Sequence, residues 1–149
     1  MKKYFLIIFV FISAFQFSFA QCRTELWRFV YHPDRFTVYK KCFTITGTVM
    51  HKKKEADGDY HIRLKLDAGQ PRMLNQKNMD KQGGCLVLEI ICMKEPTQED
   101  AIQPCRHCPT DIFVPKVGDH VKVTGSFVKD NEGNHGWNEI HPVSTIEKL

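Results

Sequence analysis

The stretch Asp57-Gly58-Asp59-Tyr60-His61-Ile62-Arg63-Leu64-Lys65-Leu66 alternates cleanly: Tyr60, Ile62, Leu64 and Leu66 fall on one side, and Asp59, His61, Arg63, Lys65 and Asp67 on the other. A period of two over this length belongs to a strand with one apolar face and one wet face. Asp57-Gly58 ahead of it is a turn dipeptide that joins antiparallel partners. Upstream, Cys42 to Met50 puts Phe43, Ile45, Gly47 and Val49 on one face and Thr44, Thr46, Thr48 and Met50 on the other. The two segments are predicted to form a hairpin, with Lys52, Lys53 and Lys54 in the polar run near its tip.

Downstream, Ala68 to Gly84 is polar and glycine-bearing, and reads as a long loop with one helical turn near Met73 and Leu74. Cys85-Leu86-Val87-Leu88-Glu89-Ile90-Ile91-Cys92 is apolar on both faces, with Glu89 its only charge. A central strand covered on both sides is expected there. Pro96 to Asp100 reads as a helix start with Thr97 as cap and acids in the first turn, and Pro104 as its stop. Gly118-Asp119 opens a fourth strand with Val121, Val123, Gly125 and Phe127 inward. Asn131 to Gly136 then turns the chain into a last strand, Trp137 to Ile146, where Pro142 marks a bend or an edge. The order strand, strand, strand, short helix, strand, strand predicts an all-β, five-stranded OB-like barrel, with an open β-sandwich as the rival. Gly47 and Gly125 stand where a small barrel needs its strands to coil.

Four blocks, Gly47-Thr48-Val49, Asp57 to Leu66, Val117-Gly118-Asp119-His120-Val121-Lys122-Val123-Thr124-Gly125 and His135-Gly136-Trp137-Asn138-Glu139-Ile140-His141-Pro142, resemble a family of small exported OB-fold-like microbial proteins. The resemblance spans about Cys42 to Ile146. It implies the same barrel and brings no catalytic residues with it.

Met1-Lys2-Lys3, the apolar run Tyr4 to Ile12 and the small residues of Ser18-Phe19-Ala20 predict a secretory signal over residues 1–20, cleaved before Gln21. The apolar run is shorter than the roughly 20 residues a membrane span needs. Cys22 raises a lipoprotein alternative, which Gln21 disfavours because a small residue is expected beside the lipidated cysteine. Residues 21–41 form an aromatic-rich N-terminal extension and 42–149 the barrel domain, so the 149-residue chain has room for one domain. Without Lys2 and Lys3, 19 Lys and Arg face 17 Asp and Glu, a surplus of two that exerts little pull on nucleic acid or anionic lipid. The expected location is the periplasm or outside the cell.

Six cysteines, Cys22, Cys42, Cys85, Cys92, Cys105 and Cys108, are an even set in an exported domain, and three bridges with 15 connectivities are open to them. Short reach favours Cys92 with Cys105, and Cys22 with Cys42 as a second pair. Cys105-Arg106-His107-Cys108 also looks like the dithiol of exported oxidoreductases, although its flanking prolines and strand context differ from a thioredoxin-like helix start. Thiol-disulfide exchange there is the enzymatic alternative.

The candidate ligand-binding residues are His61, Arg63 and Lys65 on the wet strand face, Lys52, Lys53 and Lys54 beside it, and Trp137. OB barrels bind on that face. His135, Trp137, Glu139 and His141 share one strand parity. An extended strand spreads the first and last of them about 20 Å apart, so only Glu139 and His141 are candidates to share a metal, joined by His120 or His61. The sequence leaves the buried face of this strand open: either Trp137 is core with surface polar neighbours, or Ile140 faces inward and Trp137 is an exposed platform. No nucleophile elbow, phosphate loop or dinucleotide fingerprint occurs, so no cofactor is implied. The expectation is an exported, disulfide-stabilised binding or accessory module for a saccharide, a peptide or an envelope protein.

Overall fold

The computed structural model describes residues 22–70 and 72–149; the expected leader over residues 1–20 lies outside the described residues. Two 3-10 turns, Thr24–Phe29 and Pro33–Arg35, precede five strands: β1 Phe36–Lys54, β2 Tyr60–Leu66, β3 Leu86–Ile90, β4 His120–Asp130 and β5 Asn138–Lys148. Helix α1, Gln76–Gln82, joins β2 to β3, and α2, Glu99–Cys105, lies between β3 and β4. The strands form one mixed sheet closed into a ring in the order β1-β2-β3-β5-β4. All pairs are antiparallel except β3 with β5. Closure depends on β1, whose 19 residues hold β4 along the first part and β2 along the last. The rival open sandwich is therefore not formed.

Alternation fills the ring. Ile45, Val49, Ile62, Leu64, Leu88, Ile90, Val123 and Ile140 are fully buried and pack as one apolar cluster. Burial of this kind contributes roughly 25 cal/mol per Å² of apolar surface removed from water. The N-terminal turn adds Leu26, Phe29 and Val30 to the same core. Gly47 and Gly125 are required by close approach. A Cβ on Gly47 would strike the Lys65 carbonyl oxygen, and one on Gly125 would sit 2.5 Å from both Ile140 Cγ2 and the Pro142 oxygen.

Four local expectations need correction. β1 begins at Phe36, six residues before Cys42, because Phe36–Lys40 pairs with β4 while Thr37 to Cys42 stay exposed and carry no alternation. The loop after β2 contains a true helix, α1, which lacks an apolar stripe. It is held by a reciprocal cap between Asn75 and Asn78 and ends at Gly83 in the left-handed region. Asn78 is fully buried and donates to the Cys85 and Asn138 carbonyls. Thr97 is not the cap of α2; Gln98 holds that place, Thr97 donates to the Ala56 carbonyl, and the helix continues through Pro104 to Cys105. Pro142 marks no sheet edge, since β5 lies between β3 and β4, but the β4–β5 register does slip around it, between Gly125 and Phe127.

Both favoured disulfides are present. Cys22–Cys42 ties the N-terminal turn to β1, and Cys92–Cys105 ties α2 to the end of β3, with Cα separations of 5.5 and 5.2 Å. Each cross-link of this loop size restricts the unfolded chain by about 3 kcal/mol. Such bridges fit an oxidising extracellular environment. The third bridge does not form: Cys85 is buried and Cys108 half-buried, both as thiols. Cys85 precedes β3, whereas Cys108 donates its N–H to Cys105, which is fastened beyond the far end of that strand. The five residues of β3 alone span about 17 Å, far outside disulfide reach. Among the described residues no helix is long and apolar enough to cross a membrane.

Candidate functional site

The outer face of β1, β2 and β3 is flanked on two sides, by the β1–β2 turn and by the β4–β5 loop, and forms the floor of a half-open cavity of about 670 Å³. Its floor follows from strand register. His51 pairs with Arg63, Lys53 with His61, and His61 with Glu89, so their side chains share one face. That grouping depends on a bulge: Val49 pairs with Leu64 but His51 with Arg63, which leaves Met50 as an extra residue. One extra residue reverses the facing of everything after it. Val49 therefore points into the ring, while His51 and Lys53 point to the cavity.

A polar network lines the floor and walls. His61 Nδ1 lies 2.7 Å from Glu89 Oε1 and its Nε2 3.2 Å from Gln82 Oε1, which also accepts from Arg63 Nε at 2.9 Å. Because Gln82 Oε1 accepts only, His61 Nε2 is the donor in that bond. Burial, then the nearby Glu139 charge, holds the Glu89 carboxyl well above its ordinary range. Asp59, 4% exposed, accepts from the Cys92 N–H at 2.7 Å, and burial followed by the Asp57 charge pushes its pKa to about 8. Opposite, Arg35 reaches Glu132 Oε2 at 2.6 Å and Asp130 Oδ2 at 3.6 Å, and Lys53 pairs with Glu55 at 3.0 Å.

Behind this wall both Glu139 and His141 are 1% exposed. Trp137 Nε1 donates to Glu139 Oε2 at 2.8 Å, His141 Nδ1 lies 3.1 Å from Glu139 Oε1, and the Trp137 ring stacks on His135 at 4.1 Å between centroids. Ile140 faces the ring interior, yet Trp137 is not the exposed platform which that orientation implied: it is 8% exposed, and its polar neighbours are buried rather than at the surface. Both faces of β5 are covered. Three buried polar atoms among the described residues have no hydrogen-bond partner, Arg35 Nε, Glu89 Oε2 and His141 Nε2, and all three belong to the cavity wall or the layer behind it.

Of the residues singled out in the sequence, His61, Arg63, Lys53 and Trp137 come together in the wall. Lys52 turns away and donates to the Pro115 carbonyl at 2.8 Å, Lys54 is exposed outside the cavity, and Lys65 lies past its rim on the Arg63 face. Of the candidate metal ligands, Glu139 and His141 do meet, but His61 is bonded to Glu89 and His120 to Asp67, and neither joins them. A different trio, Asp130, Glu132 and His135, does converge, but the Arg35 guanidinium already supplies its positive charge. In the cysteine motif, Cys105 is bonded to Cys92 rather than to Cys108, and burial pushes the Cys108 thiol up to about 11. A thiol so protonated is a poor nucleophile at neutral pH.

Sequence reasoning missed Arg35, Asp59, Gln82, Asp130 and Glu132 as wall residues. Glu89, the lone charge in an apolar strand, was the one visible signal. No protein-family model matches the chain, and no curated protein is significantly similar to it in sequence.

Proposed function

We propose that this protein is an exported, disulfide-stapled binding module of OB type whose ligand is a hydroxyl-rich molecule of the saccharide class, held in the cavity on the outer sheet face. The observation that carries the reading is the concentration of fixed, bonded donors and acceptors around one half-open cavity of about 670 Å³. Pockets of this size suit small ligands, and a few placed polar groups give them specificity. Charge supports the class. Burial favours the protonated carboxyl at Asp59 and Glu89, and Lys53 and Arg35 face the acids Glu55, Asp130 and Glu132, so much of the wall is polar with its cations paired. Strand order and site position agree with the OB barrel, whose second and third strands and flanking loops take oligosaccharides as well as oligonucleotides. Secretion, for which the leader and the two disulfides argue, favours the saccharide.

Amide chemical-shift mapping of the purified protein against a panel of neutral and acidic oligosaccharides tests this. Shifts confined to residues 55–63, 82, 89 and 130–137 are expected. A panel that moves no amide, or moves only those on another face, overturns the reading, and a shift map produced by peptides alone would assign the cavity to them instead.

A further inference from the structure

Every cationic side chain in the cavity wall that has a described ion pair is committed to an acid, with one guanidinium left over. Arg35 serves Asp130 and Glu132, Lys53 serves Glu55, and the two bonded imidazoles, His61 and His135, serve Glu89 and Asp130. Arg63 differs: its described bonds go to neutral oxygens, Nε to Gln82 Oε1 at 2.9 Å and one terminal nitrogen to the Lys81 carbonyl at 3.4 Å. Gln82 is 4% exposed and anchored in α1, so it fixes the direction of the guanidinium without neutralising it. The guanidinium has five N–H donors, so at least three remain for a ligand. Lys65 follows on the same strand face, which makes this end of the cavity the positive one. Asp57, at the turn, lies at the other end and forms no described ion pair; its Oδ1 accepts only from the Asp59 N–H.

Resting on the saccharide reading, we propose that Arg63 is the anchor for a carboxylate on the ligand, and that the module therefore selects acidic saccharides such as uronate oligomers over neutral ones. The planar fork of arginine matches a carboxylate with two parallel hydrogen bonds, and a partly enclosed position strengthens them. Pre-orientation by Gln82 removes part of the ordering cost of binding. The same arrangement gives a neutral sugar only ordinary hydrogen bonds.

Oligogalacturonides and their methyl esters share one backbone and differ in charge, so titrating the purified protein with both by calorimetry isolates the carboxylate. The free acid is expected to bind about 10- to 100-fold more tightly than the ester, the usual worth of a charge-assisted pair. Its affinity should weaken as salt is raised. Arg63→Gln should remove that difference between acid and ester, and Arg63→Lys should restore part of it. Equal binding of acid and ester by the wild-type protein overturns the anchor role and leaves the saccharide reading standing. Binding of neither, with none of the neutral oligosaccharides binding either, overturns both. The wild-type comparison needs no variant to fold.

Discussion

Leu88 and Glu89 are neighbours on β3, and both are buried, but in opposite surroundings. Leu88 enters the ring between its register partners Ile62 and Ile140, where burial needs only matching shape. Glu89 leaves on the other face, opposite His61, where burial is tolerable only if its oxygens find partners or hold a proton. The ring interior thus resembles any small β core. The outer face is unusual, because Glu89, Glu139 and His141 are buried there rather than in water. Apolar packing alone would give no reason to place such groups there; Glu89 lines the cavity, and Glu139 bonds Trp137 of its wall.

Truncating the interior should have the largest effect. Leu88→Ala is expected to cost about 2–5 kcal/mol in urea unfolding, the range for a fully buried leucine whose cavity cannot collapse. A loss below about 1 kcal/mol would mean that the ring is not closely packed and the contrast with the outer face is weaker than drawn.

Asp59→Asn probes the outer face through pH. The folded pKa of Asp59, about 8, stands above the ordinary 3.8, so between those values the native chain holds a proton that the unfolded chain has released. Its contribution to stability is fully present below about pH 4 and is lost as pH rises toward about 8. Asparagine keeps an oxygen for the Cys92 N–H and cannot ionise. The variant should therefore show a flatter stability profile across that window and gain most over wild type at its upper end. Parallel profiles would mean that the carboxyl is not held protonated.

The outermost layer should matter least. Lys122 and Glu147 pair at 2.7 Å with side chains 35% and 53% exposed, and Lys122→Ala is expected to change stability by about 0.2–1 kcal/mol, falling toward zero in about 1 M salt. A larger loss that survives salt would show Lys122 acting through packing of its stem.

The strands were legible because each half-buried one repeats every two residues, and Tyr60 to Leu66 and Cys42 to Met50 do so without interruption. Two disulfides were legible because Cys92 and Cys105 are close in sequence and flank a fold-back, and Cys22 and Cys42 bracket a short aromatic loop. Helix α1 was not, since its stability comes from Asn75 and Asn78 bonding to distant backbone rather than from an apolar stripe. Of the site, His61 and Arg63 were visible as the wet row of β2, but Arg35 and Asp130 were not, because nothing local to either marks them as neighbours.

From its residues alone this chain declares its all-β character, its two short-range cross-links and the wet row from His61 to Lys65, all of which follow from spacing between residues close in sequence. Tertiary structure decided which polar groups share the cavity. The extra residue at Met50 turns Lys53 inward to it and leaves Lys52 and Lys54 out, and the β1–β2 turn and β4–β5 loop convert an exposed strand face into the floor of a half-open cavity. Parity is a local property that one bulge reverses, and burial depends on what comes to lie above, which no single segment records.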